Sequence, residues 1–313
     1  MVEFYKTVDG RITEVSGFTE GCWVNMVHPS SDELEEIARA AQVEEEFVRA
    51  ALDPEESSRV DTEDEQLLMI VDIPMVEKSS VEDGGQMFTT IPMGIVVAQN
   101  AVITVCLEDS IILRSIAEGA VKGVHTSLKT RFVFQILLRI AGRFLKNLRM
   151  IERDFTRIEK RLYDSLKNEE LIQLLGLSKS LVYFSSSLKG NEVTMEKVLR
   201  GRVLKLYEDD RDILEDALIE VRQAIEMANI YSNIMAGTMD AYASVVSNNL
   251  NIIMKVLTIL TIIMTIPNIV FGFFGMNIGE GRIPGDWVWW MPLGIAVAGC
   301  FFAWWMLKKK NLD

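Results

Sequence analysis

Two apolar runs constrain this chain more than any other feature. Residues 256–274 and 287–307 contain no Asp, Glu, Lys or Arg and are 19 and 21 residues long. A helix needs about 20 residues to cross the ~30 Å of bilayer hydrocarbon. Each run meets that length, so a purely soluble protein is excluded. The 313 residues are 49% hydrophobic yet 25% charged, and the two figures coexist because the residue types are segregated. From residue 250 onward the charges sum to +2, so with a total of −13 residues 1–249 carry −15.

A body this acidic argues against nucleic acid and against an anionic lipid surface as partners, and it suits cations; solubility alone also accounts for such a charge. Cys22, Cys106 and Cys300 are odd in number and widely spaced. They form neither a disulfide framework nor a CxxC zinc pair, and they fit a reducing compartment. The opening MVEFYKTVDG has no basic stretch followed by an apolar one, so no cleavable signal peptide is expected. Lys255 lies at the start of the first run and Lys308, Lys309 and Lys310 follow the second. The positive-inside rule then puts both termini in the cytoplasm, of the plasma (inner) membrane. Spans at about 252–273 and 287–307 flank an external loop, 275–286.

The expected fold class is α+β. Residues 1–125 read as a cytoplasmic α/β domain, with Val-, Ile- and Thr-rich strand candidates at 11–15, 22–27, 67–75, 87–98 and 101–107. VVAQNAVITV suggests a hairpin turning at Gln99-Asn100. Ser30-Ser31-Asp32-Glu33 signals a helix start, and Asp53-Pro54 ends the next short helix. Residues 126–250 read as a helical domain that includes the start of a long stalk, and 251–313 as the transmembrane hairpin. From Lys129 the period becomes 3.6, with Ile136, Ile140, Phe144, Leu148, Ile151, Phe155, Ile158 and Leu162 on one stripe. A second helix covers 169–188, and Lys189-Gly190-Asn191 is expected to break it and reverse the chain. No proline falls between Val203 and Pro267. One helix is therefore expected from about 206 to 272, on the order of 100 Å of rod, packed laterally against copies of itself.

The first span is more than an anchor. Asn251, Met254, Thr258, Thr261, Thr265 and Asn268 are spaced 3, 4, 3, 4 and 3 apart, which places them on one face. Polar side chains in hydrocarbon sit in protein interfaces or line a wet cavity. One reading is that the threonines merely bond back to their own i−4 carbonyls. The other is a central pore made by one such helix from each of several subunits.

The run NIIMKVLTILTIIMTIPNIVFGFFGMN closely resembles the first transmembrane segment of the CorA family of divalent-cation channels, whose signature is a Gly-Met-Asn triplet at the outer end of that span. MKVLT at the inner end, two C-terminal spans and the terminal lysines add to the likeness. LDPEESSRVDTEDEQLLMIV is similar to the family's cytoplasmic domain. The resemblance implies a homopentamer with a funnel lined by the long helices, Mg²⁺ as the substrate, and a filter of Gly275, Met276 and Asn277. Asn277 amides and Gly275 carbonyls would hold the hydrated ion weakly enough to release it, while Met276 packs in support. Met254 and Leu257 match the family's constriction, where apolar rings gate by dewetting. Asn251 matches a polar ring at the inner mouth, and Thr265 and Asn268 match mid-pore positions. A regulatory Mg²⁺ site across a subunit interface falls on Asp216 and Glu77, with Asp212 one helical turn from Asp216. Departures from the family pattern are Phe274 in place of a tyrosine, a proline one residue late at Pro267, and a loop without the usual Met-Pro-Glu-Leu run. Glu280 and Asp286 still supply negative charge there, offset in part by Arg282.

Nothing points to an enzyme or an organic cofactor. His28 and His125 are the two histidines, and there is no Walker A loop, HExxH or GxSxG. Transport without an ATP site is passive. About 100 mV of membrane potential contributes ~4.6 kcal/mol to a divalent ion entering a cell. The expected partners are the chain itself, the bilayer and divalent cations, with no nucleic acid. Two alternatives to a Mg²⁺ channel are transport of Zn²⁺, Co²⁺ or Ni²⁺, and a non-conducting, membrane-tethered coiled-coil scaffold or sensor.

Overall fold

A computed structural model describes residues 1–63, 66–77, 87–165, 168–201, 207–275 and 287–309. The chain separates into two compact units, Met1–Ala236 and Gly237–Asp313. In the first, the described strands form one seven-stranded sheet in the order β2-β1-β3-β7-β6-β5-β4. The strands are β1 (Val2–Val8), β2 (Arg11–Val15), β3 (Cys22–Val27), β4 (Arg59–Glu63), β5 (Gln66–Glu77), β6 (Met87–Val97) and β7 (Ala101–Cys106). β3 and β7 pair in parallel and the other neighbours are antiparallel. The β6–β7 hairpin closes where expected, with the Ala98 N–H donating to the Ala101 carbonyl at 2.9 Å. The Lys129 ammonium holds that turn by donating to the Ala98 and Gln99 carbonyls at 2.8 and 2.7 Å.

One sheet face is covered by α1 (Ser31–Ala41), α2 (Glu45–Arg49) and a 3-10 turn at Ala50–Leu52. Leu34, Ile37, Phe47 and Val48 meet Val24, Leu68 and Ile103 there. Ser30 caps α1 through the reciprocal bond pair with Glu33, so two otherwise orphaned backbone donors are satisfied. Gly94 is obligatory on β6, because a Cβ there would stand 2.8 Å from the Ala51 Cβ.

After the short α3 (Ile111–Ala117) come the long helices α4 (Lys129–Ser165) and α5 (Asn168–Leu199). The expected α4 stripe is buried at seven of its eight positions, with Phe155 half-buried. Each fully buried Ile, Leu or Phe contributes about 1.5–3 kcal/mol, which is why this helix needs no help from its many charged residues. Phe144 and Phe184 meet edge to face at 5.1 Å between α4 and α5.

The expected break at Lys189-Gly190-Asn191 is wrong, since α5 runs straight through it. Gly190 is small because α5 crosses the chain at Ser58, 3.2 Å from where a Cβ would sit. Asn191 is fully buried. Its side chain accepts from the Asp72 N–H at 2.8 Å and from the Ser58 hydroxyl at 3.0 Å, and donates to the Asp72 carbonyl at 2.8 Å. The last β4–β5 pair is Arg59 with Ile70, so the Asn191 amide takes the place that residue 57, two positions before Arg59, would hold opposite Asp72 in a continued β4. Asp72 turns both backbone groups away from its partner Pro92, which makes that a non-hydrogen-bonded pair. A proline is tolerated at 92 for this reason.

Two strands, β1 and β4, fall outside the expected set. β4 reads RVDTE and is largely exposed at the sheet edge, so it carries no apolar alternation to announce it.

α6 runs Glu208–Gly275, 68 residues, close to the expected 206–272 and unbroken at Gly237. α7 spans Trp287–Lys309. Both are long and apolar enough to cross a membrane.

Candidate functional site: the α6–α7 hairpin

Within the second unit, α7 packs on one face of α6. Ile259, Ile263, Ile266, Val270 and Phe274 are half-buried positions on that face. Gly299 makes the closest approach: a Cβ there would come within 2.9 Å of the Ile266 Cγ2. Pro267 lies inside α6 and has no N–H to donate to the Ile263 carbonyl one turn back. The Cys300 thiol points at that same carbonyl, 3.5 Å away. Inside hydrocarbon an unpaired carbonyl costs several kcal/mol. Gly299 therefore lets α7 approach, and Cys300 repairs the break that Pro267 makes.

The polar stripe lies elsewhere on the helix. At ~100° per residue, its centre is about 150° round α6 from the face that α7 covers. Asn251, Met254, Leu257, Thr258, Thr261, Thr265 and Asn268 are all exposed within one chain. The hydroxyls of Thr258, Thr261 and Thr265 donate to the carbonyls of Met254, Leu257 and Thr261 at 2.7, 2.8 and 2.7 Å. The back-bonding reading of the threonines is therefore realised. It also has a chemical consequence: each hydroxyl has spent its hydrogen on its own helix, so the oxygen that remains on the surface is purely an acceptor.

Gly275 ends α6 and is exposed. Met276, Asn277 and the loop through residue 286 lie outside the described residues. At the opposite end of the hairpin, Leu307 joins Asn251, Met254, Lys255, Thr258 and Ile259 around a crevice of about 270 Å³. Lys255, Lys308 and Lys309 thus stand at the same end. Lys308 and Lys309 sit over the Trp304 and Trp305 rings at 5.2 and 5.3 Å, an arrangement suited to a membrane–water interface.

In the first unit, Asp212 and Asp216 are exposed on α6. Glu77 ends β5 opposite Met87, and its side chain lies outside the described residues. Among the described residues no group of three or more His, Cys, Asp or Glu could hold a metal ion. Glu220, one turn beyond Asp216, carries no sequence signal that singles it out. Burial, and then the charge of Asp216, push its carboxyl above the usual range, while Arg139 and Arg149 pull it down.

An α/β domain, a 68-residue helix that enters an apolar segment, and a closing second span define a membrane protein built around a helical hairpin. The family model for "CorA-like Mg2+ transporter protein" matches residues 19–309, and the chain belongs to that family, one of transporters and not of enzymes. It is 26% identical over 264 residues to the cobalt/magnesium transport protein CorA of Methanocaldococcus jannaschii, covering 82% of this chain and 79% of that protein. To the protein of the same description from Thermotoga maritima it is 32% identical over 132 residues, 39% of this chain and 37% of the relative. The complete structure of the M. jannaschii CorA magnesium transporter superposes with a TM-score of 0.85 at 21% identity, covering 100% of this chain and 99% of that one. Full-length CmaX superposes at 0.72 and 16% identity, over 99% and 97% of the two chains.

Proposed function

We propose that the chain is a passive channel for divalent cations, Mg²⁺ foremost, formed by the polar faces of α6 from five copies. The observation that carries this reading is the polar stripe opposite the α7 contact, in which the hydroxyls of Thr258, Thr261 and Thr265 have committed their hydrogens to their own helix. Mg²⁺ keeps its inner-shell waters, and bound waters point their hydrogens outward. A wall of hydroxyl oxygens whose own hydrogens are already committed accepts from that shell without competing for the metal. In lipid the same face would leave Asn251 and Asn268 without polar neighbours, which favours its burial around a water-filled axis. The relatives are named for magnesium and cobalt transport, and this supports both ions as cargo. Absence of Cys and His from the stripe disfavours tight capture of softer metals.

In this reading Gly275, Met276 and Asn277 form the outer filter, Met254 and Leu257 the hydrophobic gate, and Asn251 the inner mouth. Both termini are cytoplasmic. Glu77, Asp216 and Asp212 contribute to a Mg²⁺ site between neighbouring subunits that favours closure and so gives negative feedback. Liposome uptake of Mg²⁺ tests the channel. Asn277→Ala is expected to abolish nearly all flux while the assembly remains intact by native mass measurement. Equal uptake by variant and parent overturns the channel and leaves the non-conducting scaffold.

A further inference from the structure

The net charge of the first unit conceals a local reversal. Residues 129–151 of α4 carry six basic side chains and no acidic one. Arg139, Arg143 and Lys146 follow at i, i+4 and i+7, so they share one face with ~6 and ~4.5 Å between them along the axis. That face forms one wall of an open cavity of about 490 Å³, lined also by Ile111, Ile112 and Ser115 of α3 and by Glu220 of α6. Gly142 is the low point of the wall, since a Cβ there would stand 3.3 Å from the Glu220 Oε2.

Carboxylates are abundant in this chain, and Arg39, Arg49, Arg59, Arg114, Arg157, Arg200, Arg211 and Arg222 all hold one as an ion pair. Arg139, Arg143 and Lys146 have no such partner within 4.0 Å among the described residues, although Arg143 is half-buried. Glu220 supplies one carboxylate against the three cations of this lining, and the surplus positive charge around a half-buried guanidinium is costly unless an anion enters.

We infer that this cavity between α3, α4 and α6 binds a phosphate-chain anion of the nucleoside di- or triphosphate class. Arg139, Arg143 and Lys146 hold successive phosphates, and the apolar surface of Ile111, Ile112 and Leu138 receives the nucleoside. Arginine suits this role because its planar fork binds two phosphate oxygens at once. Glu220 in the lining disfavours a highly charged free chain and tolerates one whose charge is partly neutralised by a bound divalent cation.

Calorimetric titration of the detergent-solubilised full chain with ATP, with inorganic phosphate as the control, tests the site without any transport measurement. Its outcome is therefore independent of the channel reading. ATP is expected to bind with one site per chain, and Arg143→Gln with Lys146→Gln to weaken it at least about tenfold. Arg153→Gln, on the same helix outside the cavity, leaves binding unchanged. Both variants should keep the parent's thermal melt, since the substituted side chains are not part of the core. No heat of binding overturns the inference. So does equal loss in the Arg153→Gln control, which marks a diffuse basic surface, or equal affinity for inorganic phosphate, which marks an adventitious ion only.

Discussion

Replacing Asn191 by Ala removes a side chain that makes three hydrogen bonds from a fully buried position. The partners left behind are the Asp72 N–H and C=O, which have no strand beside them beyond the Arg59–Ile70 pair, and the Ser58 hydroxyl. A typical net value of about 1 kcal/mol per bond gives roughly 3 kcal/mol in all. At ~2–4 °C per kcal/mol for a domain of this size, the thermal midpoint of the sheet domain falls by roughly 6–12 °C. Circular dichroism of the full chain in detergent reads the shift. Hydrogen exchange on a β5 peptide reads its location as lost protection at Asp72. Asn191→Leu refills the volume without restoring a bond and is expected to lose as much. Asn191→Asp retains the oxygen that accepts from Ser58 and the Asp72 N–H but sets a carboxylate oxygen against the Asp72 carbonyl, with the same direction of effect. A midpoint within about 1 °C of the parent and unchanged β5 exchange would refute the assignment of Asn191 as the continuation of β4. A neutral Asn191→Leu would reduce its role to packing.

Burial holds the Asp72 carboxyl above its ordinary value, with the Ser187 hydrogen bond pulling the other way. The folded chain then binds this proton more tightly than the unfolded one, so the carboxylate costs stability at neutral pH and that cost disappears as pH falls through the raised value toward ~3.9. Asp72→Asn should equal or exceed the parent in midpoint at pH 7.5 and lose that advantage by pH 4; a gap that grows on acidification contradicts this. Gly299→Val drives a side chain to within 2.9 Å of Ile266 and should cost most of the monodisperse peak in size-exclusion chromatography, with Gly299→Ala intermediate. A parent-like profile for the valine variant would mean that α7 does not depend on that contact. For the regulatory reading, Asp216→Lys should weaken inhibition of uptake by internal Mg²⁺, and inhibition identical to the parent's removes Asp216 from the sensor.

The local features are legible in the residues. Hydropathy over 20 or so positions marks the two spans, and the 3.6 period marks α4, because backbone geometry ties each residue's face to its neighbours a few places away. The strands at 11–15 and 22–27 match to the residue, and the long α6 to within three. A polar edge strand such as β4 has no such signature. Lys189-Gly190-Asn191 reads as a turn because the composition of a turn and that of a close helix–strand crossing are alike. The Gly-Met-Asn triplet is legible by resemblance, and the stripe by spacing. Sequence alone thus determined that the chain enters a membrane, that its first span has a polar face, and which family it joins. Only the tertiary structure decided that α7 covers the apolar face of α6 and leaves the polar one open, that Cys300 answers the carbonyl freed by Pro267, that Asn191 completes an unfinished sheet, and that three α4 cations share a cavity. Each of these joins groups on elements far apart in the chain, and no local periodicity encodes a partner at that range.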